Sequence, residues 1–146
     1  MHVGLTIHLA RRSRAARQNR YVHPGVVDAN YASRTMRWGG LVIFLFLIFH
    51  LMDFTWGVHP HFIRGDVYHN MIHSFRRVPV ALIYIVANLA LGVHLWHGCW
   101  SLFQSLGWNN PRFNTWRRGL ATAIATIIVV GNCSFPIAVQ AGIVSI

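Results

Sequence analysis

The 146-residue chain has no lysine and no glutamate. Its only acids are Asp28, Asp53 and Asp66, against 13 basic residues, all arginine. Charged residues make up 11% of the chain, where soluble domains run nearer ~25%. So little charge argues against a surface wetted on all sides. The net charge of +10 does not point to nucleic acid either, because the arginines do not interleave into one basic surface. They fall in blocks between long apolar runs, as the loops of a membrane protein do. Cysteine is equally scarce. Cys99 and Cys133 lie on different apolar runs, make no disulfide framework, and read as small buried hydrophobes. Strand alternation, a fixed-period repeat and a Gly-rich phosphate loop are all missing, and nothing resembles a flavin or nucleotide site.

What is present is apolar sequence: 54% of the chain is hydrophobic. Residues 39–57, GGLVIFLFLIFHLMDFTWG, would rise roughly 28 Å as a helix, enough for a hydrocarbon core of about 30 Å. Trp38 and Trp56 flank this run as interfacial anchors. Residues 79–103 form a second span, with Pro79 placed in its first turn. Residues 119–146 form a third, which Pro136 should kink or end. Gly119, Ala121, Ala123 and Ala125 would let that helix pack closely. Residues 1–10 are apolar but rise only about 15 Å. Charge follows them instead of preceding them, so they are not a signal peptide. They read as the end of a helix whose first half lies upstream, with Met1 an internal methionine. The expected fold is therefore all-α: one polytopic transmembrane bundle over residues 1–146. It comprises a stub (1–10), an Arg-rich loop (11–38) and three spans. Ten of the 13 arginines fall in alternate loops, which the positive-inside rule places in the cytoplasm.

Ionisable groups inside a bilayer are costly and mark functional sites. His50 lies about 10 Å from the outer edge of the first span. His94 lies about 15 Å, and His2 roughly 13 Å, from the inner edge. Histidines at two levels on different helices are what two stacked haems need, each iron taking an imidazole from each of two helices. Asp53, one turn beyond His50, is expected to be solvated or paired with a histidine, or to take up protons near a quinone. His97 reads as a supporting partner of His94 or a helix contact. His59, His61, His69 and His73 read as surface residues of the outer loop. The block RRSRAAR is a positive-inside flank that could also meet acidic lipid or a soluble subunit.

Three stretches resemble the cytochrome b membrane-anchor subunit of succinate dehydrogenase and fumarate reductase, in its five-helix, two-haem form. YASRTMRWGGLVIFLFLIFHLMDFTWGV is similar to that family's third helix, with a Gly ten residues before a ligand His. SFRRVPVALIYIVANLALGVHLWHGCWSLFQSLGW is similar to its fourth: a His, then Gly-x-Trp-Ser, then a closing Leu/Trp-Gly. HVGLTIHLARRSRAARQNRY resembles the end of its second, with a ligand His nineteen residues before a Tyr. The resemblance implies that His2, His50 and His94 are haem ligands. His2 and His94 would share the inner haem, and His50 the outer one with a first-helix His that this chain lacks. Arg37 and Arg76 would meet haem propionates, or else anchor the spans.

It also implies one or two haem b, a membrane quinone as electron acceptor, and partnership with the iron–sulfur and flavoprotein subunits. The place would be a bacterial cytoplasmic membrane, in contact with lipid and not with nucleic acid. This subunit would pass electrons and would not itself oxidise succinate. Three alternatives stay open: a haem-free anchor with a Rieske-like [2Fe–2S] centre using His together with Cys99 and Cys133, a cytochrome b of another respiratory dehydrogenase, and an anchor whose histidines only bond their neighbours.

Overall fold

The computed structural model describes residues 2–16, 31–108 and 110–145. Arg17, Arg20 and Asp28 lie outside the described residues. The chain divides into two units, Met1–Asn30 and Tyr31–Ile146. In the first, helix α1 spans His2–Ala15 and buries none of its residues. It runs without a break from the apolar stub into the arginines.

The second unit holds α2 (Tyr31–Phe54), α3 (Val67–Arg76), α4 (Val78–Ser105) and α5 (Asn114–Gln140), with a 3₁₀ turn at Pro111–Phe113. The described residues contain no strand. Among the described residues, three helices are long and apolar enough to cross a membrane: Met36–Phe54, Val78–Ser105 and Pro111–Gln140. Trp38 and Trp56 are exposed at the two ends of the first. At their starts the helices outrun their apolar stretches, although α2 ends at Phe54 and α5 at Gln140, short of the expected 57 and 146. Helix α2 starts eight residues before Gly39 and α5 five before Gly119, because polar residues carry a helix beyond the hydrocarbon at no desolvation cost.

Helix α4 packs against both α2 and α5. Its start has Pro in the first turn, where a missing N–H costs nothing. Its end is a Schellman motif. Gly107 adopts φ +78°, while its N–H bonds Gln104 O at 3.1 Å and that of Trp108 bonds Phe103 O at 3.0 Å. Gly fits there because it adopts the left-handed conformation without a Cβ clash. The α4–α5 seam is tight: a Cβ on Gly92 would come within 2.4 Å of Val129 Cγ2. Ala121 and Ala125 are buried, whereas Gly119 and Ala123 are exposed. Only half of the small-residue stripe therefore serves packing. Helix α5 continues four residues beyond Pro136, so the proline does not end it. Cys133 is buried and Cys99 half-buried, and both are free thiols.

Helix α3 was not foreseen from the sequence. Asp66 caps it by accepting from His69 N at 2.9 Å. Asn70 clamps the preceding loop, bonding Ile63 O at 2.7 Å and Ile63 N at 2.8 Å. The helix packs against α2, α4 and α5. The apolar core collects here, with Ile72, Phe75, Val80, Tyr84 and Val139 buried and Phe46, Phe49, Phe54, Met71 and Val144 against them.

Candidate functional site

Two cross-helix contacts fix how α2 and α4 meet. A Cβ on Gly40 would lie 3.7 Å from His94 Cε1. Ten residues further along α2, His50 Nδ1 lies 3.4 Å from the hydroxyl of Tyr84, which is ten residues before His94 on α4. The two helices therefore run antiparallel. His50 and His94 stand at levels ten helical residues apart, about 15 Å.

The His50 level is polar inside and aromatic around. Asp53 is 5% exposed, so the expectation of a solvated carboxylate is wrong. Its Oδ1 accepts from Ser74 Oγ at 2.8 Å and from Arg77 Nη2 at 3.2 Å. Its Oδ2 accepts from the Tyr84 hydroxyl at 3.1 Å. Arg77 also reaches Ser74 Oγ at 3.2 Å. Burying a carboxylate is costly unless it is paired and bonded; helix α3 brings the serine that does this, and Arg77, the residue after its end, brings the charge. The ring of Tyr84 is surrounded by Phe46, Phe49, Phe54, Phe75 and His50, with centroids 4.9–5.9 Å away. Most of these contacts are edge-on, the preferred geometry of aromatic pairs. His50 itself is flanked by Phe46 and Phe54.

Further into α4, Asn88 donates to Tyr84 O at 2.8 Å and accepts from Asn132 Nδ2 on α5 at 2.9 Å. Such bonds join helices where no water competes.

The His94 level is different. At Gly40 the absent side chain brings the α2 backbone close to the His94 ring, where a Cβ would make van der Waals contact with Cε1 at 3.7 Å. Beside it, Trp96 Nε1 bonds Thr122 Oγ1 at 3.1 Å. His97 has a buried Nδ1 with no hydrogen-bond partner among the described residues. Beyond it, Arg117 and Arg118 lie over the Trp100 ring at 5.1 and 5.0 Å. Arg117 is 1% exposed and bonds Trp108 O, Asn110 O and Asn114 Oδ1, locking the α4–α5 turn.

The remaining candidates are scattered. His2 stands exposed on α1, in the other unit, with Thr6 donating to its carbonyl at 3.0 Å. Arg37 is exposed on α2, one turn before Gly40. Arg76 is exposed at the end of α3, and it is its neighbour Arg77 that reaches Asp53. His59, expected at the surface, is buried, and burial pushes its pKa down. His69 and His73 stack at 4.3 Å, with His61 5.1 Å from His73. No three His, Cys, Asp or Glu side chains among the described residues are grouped to hold a metal ion. A haem held between helices requires only one imidazole from each.

Sequence reading missed Tyr84, Ser74 and Arg77. The signal for Tyr84 was a lone hydroxyl inside an aliphatic run, YIVANLAL, one helical repeat from a buried Asn. The family model for the succinate dehydrogenase/fumarate reductase transmembrane subunit matches residues 11–132, leaving His2 outside the match. No curated protein and no solved structure matches the chain.

Proposed function

The chain belongs to the succinate dehydrogenase/fumarate reductase transmembrane subunit family, and on that premise we propose that it is a membrane-anchor cytochrome b. It would carry electrons from an iron–sulfur subunit to a membrane quinone. The observation that supports this most is the pair of histidines at two levels. His50 and His94 sit at levels ten helical residues apart on antiparallel spans, as imidazoles for two stacked haems would. Haem b supplies a one-electron carrier at each level. His94 would hold one, beside Gly40 of α2. His50 would hold the other through Nε2, its Nδ1 being turned to Tyr84. His2 is the proposed second ligand at the His94 level. Arg37 belongs to the His94 end and Arg76 to the His50 end, so each is proposed for the propionates of its own level.

The arginine distribution orients the subunit. The loops at the His94 end carry most of the arginine and would face the cytoplasm, where the iron–sulfur and flavoprotein subunits would dock. The loop bearing α3 would face outward across a bacterial cytoplasmic membrane. The deciding experiment is a reduced-minus-oxidised spectrum of the complex purified through its flavoprotein. Two b-type haem signals are expected. A complex without haem bands but with a [2Fe–2S] resonance lost on Cys99→Ser or Cys133→Ser would replace this reading with the iron–sulfur one.

A further inference from the structure

The bonds around Tyr84 have a direction. Asp53 is ion-paired with Arg77 at 3.2 Å, so it is a carboxylate and can only accept. The Tyr84 hydroxyl therefore spends its single hydrogen on Asp53 Oδ2, 3.1 Å away. Toward His50 Nδ1, at 3.4 Å, the same oxygen is left only as an acceptor. The hydrogen on that contact must come from the imidazole. The chain thus runs His50 Nδ1–H to Tyr84 O–H to Asp53, with Ser74 and Arg77 fixing the far end.

We propose that Tyr84 and Asp53 are positioning residues for His50, fixing its tautomer with the lone pair on Nε2 and passing part of the Asp53 charge to the imidazole. This rests on the haem reading of His50. Acceptors behind a metal-bound imidazole fix its orientation and make it a stronger donor. A stronger donor stabilises ferric over ferrous iron, so the His50 haem would have a lowered midpoint potential. Four phenylalanine rings surround the phenol, and the 3.4 Å contact to His50 lies at the long end of the hydrogen-bond range. The His94 level has a different environment and serves as the internal control.

The test is a potentiometric titration of the complete purified complex, with the His50 haem assigned by its loss in His50→Ala. Tyr84→Phe should raise its potential by about tenfold in the reduction equilibrium, ~59 mV for one electron. Asp53→Asn should raise it as well. Arg77→Gln should lower it, by less, because the Arg77 side chain is 43% exposed and water screens its charge. The His94 haem should keep its potential in all three. Opposite signs for Asp53 and Arg77 are a result that a merely structural role cannot give. Unshifted potentials, equal shifts of both haems, or shifts of one sign throughout would overturn the proposal. Should Tyr84→Phe fail to assemble, the Arg77→Gln and Asp53→Asn pair carries the same decision. Wild-type complex without haem would overturn the cytochrome reading and this proposal together. Wild-type haem with unmoved potentials would overturn this proposal alone.

Discussion

At the α3 end of the α2–α4 pair, the groups around His50 form a closed network. A carboxylate, two hydroxyls and a guanidinium satisfy one another inside an aromatic shell. Ten residues away the α2 backbone at Gly40 lies beside the His94 ring, and His97 has a buried ring nitrogen with no partner among the described residues. One level is organised by the unit itself. At the other the α2 backbone passes beside the imidazole at a glycine. The difference teaches that two histidines of the same proposed role can be supported by unlike means. In one case hydrogen bonds fix the ring, and in the other a glycine lets the neighbouring helix come close to it.

The largest effect that could break this comparison is loss of a cofactor. His94→Ala should remove one of two b-type signals from the reduced-minus-oxidised spectrum of the complex, and His50→Ala the other. If both signals survived either change, the two levels would not be two sites.

Stability separates the levels next. Asp53→Ala strips the acceptor from Ser74, which is fully buried, and from Tyr84, 5% exposed. Each stranded hydroxyl costs about 1–3 kcal/mol. His97→Leu removes a buried nitrogen that already lacks a partner, so it should be neutral or slightly stabilising. Apparent unfolding temperatures in detergent should therefore fall clearly for the first and hold for the second. Equal losses would mean that the His50 network contributes no more than ordinary packing.

Which parts of this were legible in the sequence follows from the physics of each signal. The three spans were visible because twenty consecutive apolar residues leave few other options. His50 and His94 stood out because imidazole in hydrocarbon is anomalous. Asp53 was visible as a residue but was expected to be solvated or paired with a histidine, and is instead buried on Ser74, Arg77 and Tyr84. Its depth was counted along α2 alone, and its cover comes from α3, a ten-residue helix in a loop that hydropathy does not detect. Arg77 was passed over for Arg76 because adjacent arginines look alike until a helix end assigns their directions. Tyr84 was missed because an aromatic in a span is ordinary, and only its two oxygen contacts make it otherwise.

A third, smaller effect tests whether close packing also differs along α4. Gly92→Ala places a Cβ 2.4 Å from Val129 Cγ2, and valine is stiff at χ1. Overpacking of this kind costs about 1–3 kcal/mol. Adding Val129→Ala should recover most of it. Gly98→Ala, where a Cβ meets nothing within 4 Å, should gain up to ~1 kcal/mol from helix propensity. A similar loss at both glycines would show that the α4–α5 seam is not what limits residue 92.

The smallest expected effect is acid sensitivity at the α3 end. His59 is 8% exposed, and its Nε2 has no partner among the described residues. Its pKa is lowered from 6.5, chiefly by burial; Asp53 opposes the shift, while Arg77, His61 and His69 add to it. The unfolded chain therefore binds a proton near pH 6.5 that the folded chain refuses until the pH is lower. Between those two pKa values the unfolded state holds more protons, so stability falls as pH falls. His73, lowered by desolvation and by His69 and His61, acts in the same direction. Apparent unfolding temperature should thus decline as pH drops below about 6.5, the ordinary histidine value. His59→Gln should flatten part of that decline, and His73→Gln a further part. An unchanged profile in the double variant would remove the acid sensitivity from these two histidines, and with it this distinction of the α3 end.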